Sequence, residues 1–586
     1  GQTRPLFAFI ENASDDPTPD YRIHPCILPF GPAYGCSLKL MDSVLNITFS
    51  VMARRASHRD VTSKSAPADL VPLSREWRIS GGAVGLPRGF VNRYTVPRIP
   101  LFPTPMVSLA MKFIHLVWVV LVLTPPVTSA AEAELPSELA AAIKDADFST
   151  DGIGLFIQGV DDDRPLVAFH ADRFLNPASV IKLVTTAAAL DLLGQGYRWS
   201  TEVMYSGTIE GHTLNGDLYI RGNGDPYLTP ERFWRLLNRI FIAGIHRIDG
   251  DVLIDNAYFE PGKVDYAAFD QQPYRTYNVG PNAVLVGFQA TEFHFNIDTT
   301  GTDPAVKITP FPQSPRLRII NQVKLVDGRC SAWQKRLSLE TRNNAGVLEV
   351  VFTGNYARAC KQRALYRRVS EAQDHYQHFF LPLWSQLGGS VDGKITQGIV
   401  PADASRLLEE PSISLAEAVR LVNKFSNNVM TRQILLSIGA QESGPPGTTE
   451  KGLAAVNAWL AEHDLDHPDL QLDNGAGLSR DARISAGLLG KLLLHVYKQA
   501  YMPEFIAALP VSGYDGTMAH RFNDTPLVGR AHIKTGLLDF VQSMAGYVTT
   551  ETGKRYVVVL LHNDPRAHTR SAEKLQNQVI NWIYTL

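Results

Sequence analysis

Apolar and polar positions follow two different rhythms along this chain. Near Leu135 the run "SELAAAIK" has helical spacing, and it leads into "GIGLFIQGV", an apolar run of strand length. "DDDRP" supplies a turn and "LVAFHA" a second strand, which together predict a hairpin. "NPASVIKLVTTAAAL" then reads as a helix that is apolar on nearly every side after Lys182 and ends near "GQGYRW". From Ser200 to about Gln397 the texture changes to short strand-like runs broken by turns, such as "HTLNGDLYIRGNGDP", "IDGDVLIDNAYF", "EFHFNID" and "VKITPF". One amphipathic helix, "PERFWRLLNRIFIAGI", interrupts them. From about Ser412 helices return in "SLAEAVRLVNKFS", "NNVMTRQILLSIGA" and "GLAAVNAWLAEH". The chain closes with three strand-like runs, "RAHIKTGLL", "DFVQSMAGYVTT" and "RYVVVLLHN", and a final helix, "SAEKLQNQVINWIYTL". Strand runs beside flanking helices predict an α+β fold with antiparallel meanders. The strand-rich middle predicts an inserted β-rich region of one or two domains, and no internal repeat is visible.

Composition narrows the class. The 586 residues are 45% hydrophobic and 19% charged, enough for several domains with real cores. The formal net charge of −2 gives no basic excess, so nucleic acid is not an expected partner. The run "MKFIHLVWVVLVLTPPVTSAAEAE" from Met111 has a Lys, an apolar stretch and a small-residue cleavage zone near Ala130, the pattern of a secretory signal peptide. Its apolar part is about half the roughly 20 residues that span a bilayer, so no firm membrane anchor is expected after cleavage. Residues 1–110 show little periodicity and are expected to be a leader without a folded domain, with Met111 as the initiator. The expected organisation is therefore a leader at 1–110, a signal peptide at 111–131, a first domain segment at 132–199, the insertion at 200–402, and the second domain segment at 403–586.

Export changes the reading of cysteine. After the leader only Cys330 and Cys360 remain, and an even pair in an oxidising compartment predicts one disulfide across a modest loop. No CxxC pair or HExxH motif is present, so neither a metal nor another cofactor is expected.

Three short motifs carry candidate chemistry. Ser179-Val180-Ile181-Lys182 is S-x-x-K, Ser426-Asn427-Asn428 is S-x-N, and Lys534-Thr535-Gly536 is K-T-G. Chance supplies the first two about once or twice each in such a chain, and the third on the order of a tenth of a time. Spacing i, i+3 puts Lys182 on the helix face of Ser179. A serine hydroxyl needs a neighbouring base, and an amine becomes one when desolvation or a nearby cation depresses its pKa. The apolar helix offers the first and Lys534 the second. A helix start also aims backbone N–H groups at a developing oxyanion. Ser426 or Asn428 could instead cap a helix. On the strand "HIKTGLL", Lys534 and Gly536 share one face, where a glycine lets a substrate backbone approach.

In that order, the trio resembles that of serine β-lactamases and penicillin-binding proteins. "DNGAGLSRDARIS" and "GYDGTMAHRF" add segments similar to those of the low-molecular-mass class C penicillin-binding proteins, the D-alanyl-D-alanine carboxypeptidase/endopeptidases. The long insertion between the first two motifs matches that family and not β-lactamases. The resemblance covers about Leu135 to the C-terminus. It implies a DD-peptidase-like catalytic domain, an antiparallel sheet flanked by helices and interrupted by the insertion. It implies a periplasmic serine peptidase acting on peptidoglycan stem peptides through an acyl-enzyme, and acylated by β-lactam antibiotics. Ser179 would be the nucleophile and Lys182 the general base. Ser426 and Asn428 would move a proton and hold the peptide. Lys534, Thr535 and Gly536 would bind the terminal carboxylate, and Leu537 would supply the second oxyanion N–H. Arg480 matches a family arginine, and Asp270 an aspartate that meets the free amine of a diaminopimelate side chain. Ala476 stands where many relatives have Ser, between two glycines that ask only for a small residue. The alternatives are a serine β-lactamase and a non-catalytic cell-wall-binding scaffold.

Overall fold

The computed structural model describes residues 135–586. The expected leader at 1–110 and signal peptide at 111–131 lie outside the described residues. Among the described residues no helix is long and apolar enough to cross a membrane.

The central sheet takes its strands from both ends of the described chain. They are β1 (Ile153–Gly159), β2 (Val167–Phe169), β3 (Ala531–Leu538), β4 (Val541–Thr549) and β5 (Arg555–His562), in the order β2-β1-β5-β4-β3, all antiparallel. Every residue of β1 is buried, as its continuous apolar run requires. Side-chain alternation splits the sheet between two cores. Leu155, Ile157, Val558 and Leu560 face the helices Ser137–Asp145 and Arg570–Tyr584. Phe156, Val557, Val559 and Leu561 face a larger helical layer.

That layer is built on α1 (Lys182–Leu192), which is buried from Lys182 to Leu190. Around it pack α2 (Leu415–Phe425) and α3 (Asn428–Ser443). Ser414 and Glu417 cap α2 reciprocally: the hydroxyl accepts from the Glu417 N–H at 3.3 Å, and the carboxylate from the Ser414 N–H at 2.8 Å. Such a cap contributes about 1 kcal/mol and fixes where α2 starts. The expected helix at Ser179 divides in two. Ala178–Ile181 is a 3₁₀ turn, and the α-helix begins only at Lys182.

Between the two parts of this layer lies the β-rich region. Its first sheet runs Ile395–Gln397, Val252–Asp255, Leu218–Gly222, Arg198–Tyr205, Ser405–Ser414, so it reaches past residue 402 on one side and begins before 200 on the other. Two helices pack with this sheet, Pro230–Ile242 through Phe233, Leu237 and Ile240, and Ala372–Gln386 through Phe379, Phe380 and Trp384. The periodicity reveals the first and not the second. Ala372–Gln386 contains Pro382 and buries His375, Tyr376 and His378 as well as its apolar residues, so no polar face marks it as a surface helix. Further out, Phe293, Phe295, Phe352 and Tyr356 centre a second core between two three-stranded sheets, where Cys330 and Cys360 form a disulfide.

Candidate active site

The three motifs meet where the start of α1, the α2–α3 junction and β3 converge. The 3₁₀ turn explains the first contact. At three residues per turn, side chains at i and i+3 eclipse, so Lys182 sits directly along the turn from Ser179. Its Nζ donates to Ser179 Oγ at 3.0 Å and to Asn428 Oδ1 at 2.6 Å, and also to the carbonyl of Ala476. Lys182 is fully buried. Burial, then the charges of Lys534 and Arg432, hold its pKa well below that of an ordinary lysine.

The turn before Ser179 is held from a distance. Ala178 has a positive φ of 47°, a conformation a residue with Cβ rarely adopts. The Asn176 side chain accepts from the Ala178 N–H at 2.8 Å and bridges the bend. Asn563, at the end of β5, exchanges two hydrogen bonds with the Asn176 backbone, at 2.8 and 2.9 Å. The Asn176 amide also donates to the Ser479 carbonyl at 2.9 Å.

At the α2–α3 junction the cap is Asn427, whose side chain accepts from the Met430 N–H at 3.0 Å. Neither Ser426 nor Asn428 serves as the N-cap. Ser426 ends α2 in a left-handed conformation, φ 55°, and accepts from Lys534 Nζ at 2.9 Å. Lys534 is fully buried, also donates to the Thr535 carbonyl at 2.7 Å, and is brought by burial down to about 7. Thr535 donates to Thr517 at 2.8 Å. Thr517 belongs to the "GYDGT" segment, which Asp515 anchors to buried Lys424 through a 2.7 Å ion pair. Lys424 lies two residues before Ser426, so one clamp supports both the second and third motifs.

Gly536 packs closely against the turn that carries Ser179. A Cβ there would lie 2.7 Å from the Pro177 carbonyl and 3.0 Å from the Ser179 nitrogen. The absence of a side chain at Gly536 thus lets the serine turn dock on β3. Gly477, with φ 75°, is as restricted: a Cβ would fall on the Ala178 carbonyl. Ala476 is buried between it and Gly475, and its carbonyl serves Lys182.

Leu537 is exposed on β3, which is an edge strand of the sheet. Such an edge is where an extended peptide can add as a further strand. Arg480 lies at the rim, donating to the Asp539 carbonyl at 3.2 Å with its guanidinium 4.7 Å from the centre of the Phe269 ring. Asp270 is not among the contacting groups. Its carboxylate accepts from Tyr277 Oη at 2.5 Å and from the Asn278 amide at 3.0 Å. Tyr277 and Thr276 in turn line a cavity of about 30 Å³ with Ser426, Asn427 and Asn428.

Arg432 was not legible as part of the site. One turn beyond Asn428 on α3, it donates to the Val279 carbonyl at 2.9 Å and the Tyr277 carbonyl at 3.4 Å. Its i+4 spacing from Asn428 was the available signal. The Asn176–Asn563 pair had none, being 387 residues apart. Among the described residues no group of three His, Cys, Asp or Glu side chains is placed to hold a metal ion.

A desolvated amine beside a hydroxyl, with a second buried amine and an open strand edge, is suited to acyl transfer to serine from a carboxylate-bearing peptide. Comparison with known proteins agrees. The chain is 28% identical to a D-alanyl-D-alanine carboxypeptidase of Actinomadura sp. (strain R39) over 432 residues, 72% of this chain and 79% of that one. It is 23% identical to the D-alanyl-D-alanine carboxypeptidase DacB of Haemophilus influenzae over 414 residues, 70% and 85% of the two chains. In fold it is similar to the crystal structure of penicillin binding protein 4 (dacB) from Haemophilus influenzae, with a TM-score of 0.64 at 21% identity, covering 76% of this chain and 99% of that one. The family model of D-Ala-D-Ala carboxypeptidase 3 (S13) matches residues 135–586, and the chain belongs to that family.

Proposed function

We propose that this serine D-Ala-D-Ala carboxypeptidase cleaves peptidoglycan stem peptides through an acyl-enzyme on Ser179, and that β-lactams acylate the same residue. The observation that carries the reading is the 3.0 Å contact between Ser179 Oγ and the Nζ of a fully buried lysine. The terminal carboxylate of the peptide pairs with Lys534 and Thr535. Lys182 takes the Ser179 proton as Oγ attacks the penultimate carbonyl carbon. The oxyanion is met by the N–H groups of Ser179 and Leu537. Ser426, bonded to Lys534, gives its hydroxyl proton to the departing D-Ala amine and takes in its place the one Lys182 gained, leaving Lys182 neutral, and Asn428 holds Lys182 and the peptide backbone. Water then attacks the ester carbonyl as Lys182 takes its proton, and Lys182 passes that proton to Ser179 Oγ as the ester bond breaks. Cross-links that end in a D-amino acid with a free carboxylate are cut by the same steps, which is endopeptidase activity.

Arg480 and Asp270 belong to the rim that receives the preceding stem residue. We assign Asp270 to its free amine, supported by the Tyr277 and Asn278 hydrogen bonds that orient the carboxylate. In this reading the catalytic domain is formed by the segments before about 198 and after about 414, since the strand Ser405–Ser414 pairs with Arg198–Tyr205. The protein acts outside the cytoplasmic membrane, in the periplasm, after removal of the segment 111–131.

The test is intact mass after addition of benzylpenicillin, with peptide mapping. A long-lived adduct on Ser179, absent in Ser179→Ala together with D-Ala release, is the expected result. Rapid penicillin turnover without a lasting adduct would make the protein a β-lactamase. No adduct and no turnover in folded protein would leave the scaffold reading.

A further inference from the structure

We propose that the disulfide-bonded tip of the outer β-rich core is a docking surface for the carboxylate-rich peptidoglycan polymer, separate from the groove that receives a single stem. The inference deepens the function proposed above and rests on it. The chain as a whole has 56 Lys and Arg against 58 Asp and Glu. Residues 324–336 and 355–363 depart from that balance, with seven cationic side chains and one carboxylate, Asp327. The fold brings the two stretches together. Cys330 and Cys360 are bonded, with Arg329 next to one end of the bridge and Lys361 next to the other. Lys324 is registered opposite Asn355 on the parallel strands Leu317–Val326 and Val347–Ala357. Arg336 donates to the carbonyls of Arg329 and Ser331 at 2.9 and 2.6 Å, which folds its loop back onto the bridge. Arg363 begins the strand that pairs with Phe295. Beneath them Trp333 meets Phe295 and Tyr356 edge-on at 5.5 and 5.7 Å, so the tip stands on a packed aromatic base.

Six of the seven cations are exposed, and Arg336 is half-buried. Asp327 pairs with Arg358 at 3.3 Å, and among the described residues the other six have no carboxylate partner. The neighbouring hairpin adds one lysine and two aspartates, Lys307, Asp298 and Asp303, too few to cancel the excess. Clustered like charges repel one another and stabilise nothing within the fold, but they suit a polyanion. Peptidoglycan is one: every stem that is not cross-linked through its end carries a terminal carboxylate. Removal of D-Ala exposes a new carboxylate on the shortened stem, so turnover does not erase the attraction. A single exposed ion pair is weak, so attachment needs several stems at once. Such attachment raises the concentration of stems around Ser179. A bilayer fits less well. None of the exposed large apolar side chains lies in these two stretches, whereas a surface that seats in a lipid interface combines cations with apolar groups.

The experiment measures cosedimentation of the full chain with purified sacculi after benzylpenicillin has blocked Ser179, so that binding through the groove is excluded. Wild type should pellet at about 50 mM salt and be released at about 500 mM, where exposed charges are screened. The combined variant Lys324→Gln, Arg329→Gln, Lys335→Gln and Lys361→Gln keeps Arg336 and Arg358, whose contacts hold the loops. It should bind about tenfold more weakly, because four of the separate attachments are gone. Sacculi with amidated carboxylates should not bind wild type. Without penicillin, D-Ala release from sacculi should fall about five- to tenfold in the variant. Its release from the free pentapeptide and its acylation should stay within about twofold, as expected of surface substitutions. Equal binding of wild type and variant, or binding that survives amidation, would overturn the docking surface and leave the function intact. Tighter binding to phosphatidylglycerol vesicles than to sacculi would overturn it in favour of a lipid surface. Wild type that neither acylates nor releases D-Ala from the pentapeptide would overturn the function itself, and this is seen before any sacculus is added.

Discussion

Two clusters among the described residues hold buried charge in opposite ways. On the helix Pro230–Ile242, Arg232, Arg235 and Arg239 converge on Glu410, which is 1% exposed at its side chain; the Arg235–Glu410 distance is 2.5 Å. Charge is buried there with opposite charge around it. At the motifs, Lys182 and Lys534 are as deeply buried, but their hydrogen-bond partners are neutral oxygens of Ser179, Asn428 and Ala476, and of Ser426 and Thr535. Desolvation without a carboxylate partner favours the uncharged amine. A paired cluster locks a fold. An unpaired one keeps a base and an anion receptor ready, at a cost in stability.

The sharpest way to break this comparison is Lys182→Met. If the lysine is the base, acyl transfer should fall about a hundred- to ten-thousandfold, read as the rate of penicillin adduct formation. Stability should respond in the unusual direction. The pKa of Lys182 is lower in the folded than in the unfolded chain, so the unfolded state binds more protons as pH falls below about 10. Wild-type stability therefore rises with pH toward that value. Met should flatten the rise, so the variant compares better with wild type at pH 7 than at pH 9 in urea unfolding. A variant with normal acylation, or one equally destabilised at both pH values, would place Lys182 with the structural charges.

Arg432→Met is smaller in effect. A neighbouring cation disfavours protonated Lys182, so removing it lets the amine hold its proton to higher pH. The acid limb of kcat/KM should move upward by less than one unit, a loss of up to about tenfold on that limb and little above it. Arg432→Lys keeps the charge and should restore the limb. A uniform loss at every pH, not rescued by Lys, would reduce Arg432 to a tether for Tyr277 and Val279.

The two charge clusters were not equally legible. Ser179, Lys182, Ser426, Asn428 and the K-T-G strand lie in short local patterns, and i, i+3 geometry or strand alternation carries each of them to one face. The central sheet was legible for the same reason, since its edge hairpin and its last three strands are local runs. What stayed hidden depends on contacts between distant segments. Asn563 braces Asn176 from 387 residues away, and Glu410 meets arginines about 170 residues earlier. The Ala372–Gln386 helix was missed because it is buried on more than one side and contains a proline, so amphipathic spacing fails. The docking of the Ser179 turn on Gly536 stayed hidden too, a tertiary contact that spacing along β3 does not reveal.

Glu410→Gln supplies the smallest change in chemistry and the cleanest contrast. Glu410 lies within the strand Ser405–Ser414, four residues before Ser414, which caps α2, and Ser426 follows the last residue of α2. If that route transmitted strain to the site, a charge lost at Glu410 would appear in turnover. The capping box argues against it, because α2 is started by its own reciprocal bonds and anchored at its far end by Lys424 and Asp515. Removing one partner of a buried pair costs about 3–5 kcal/mol. Arg235 and Arg239 reach solvent and can be rehydrated, which points below that range, to about 2–3 kcal/mol. Turnover per folded molecule should stay within about twofold, measured by penicillin-titrated active sites beside a denaturant curve. A tenfold drop in turnover with unchanged stability would show that the paired cluster, too, is wired to the chemistry.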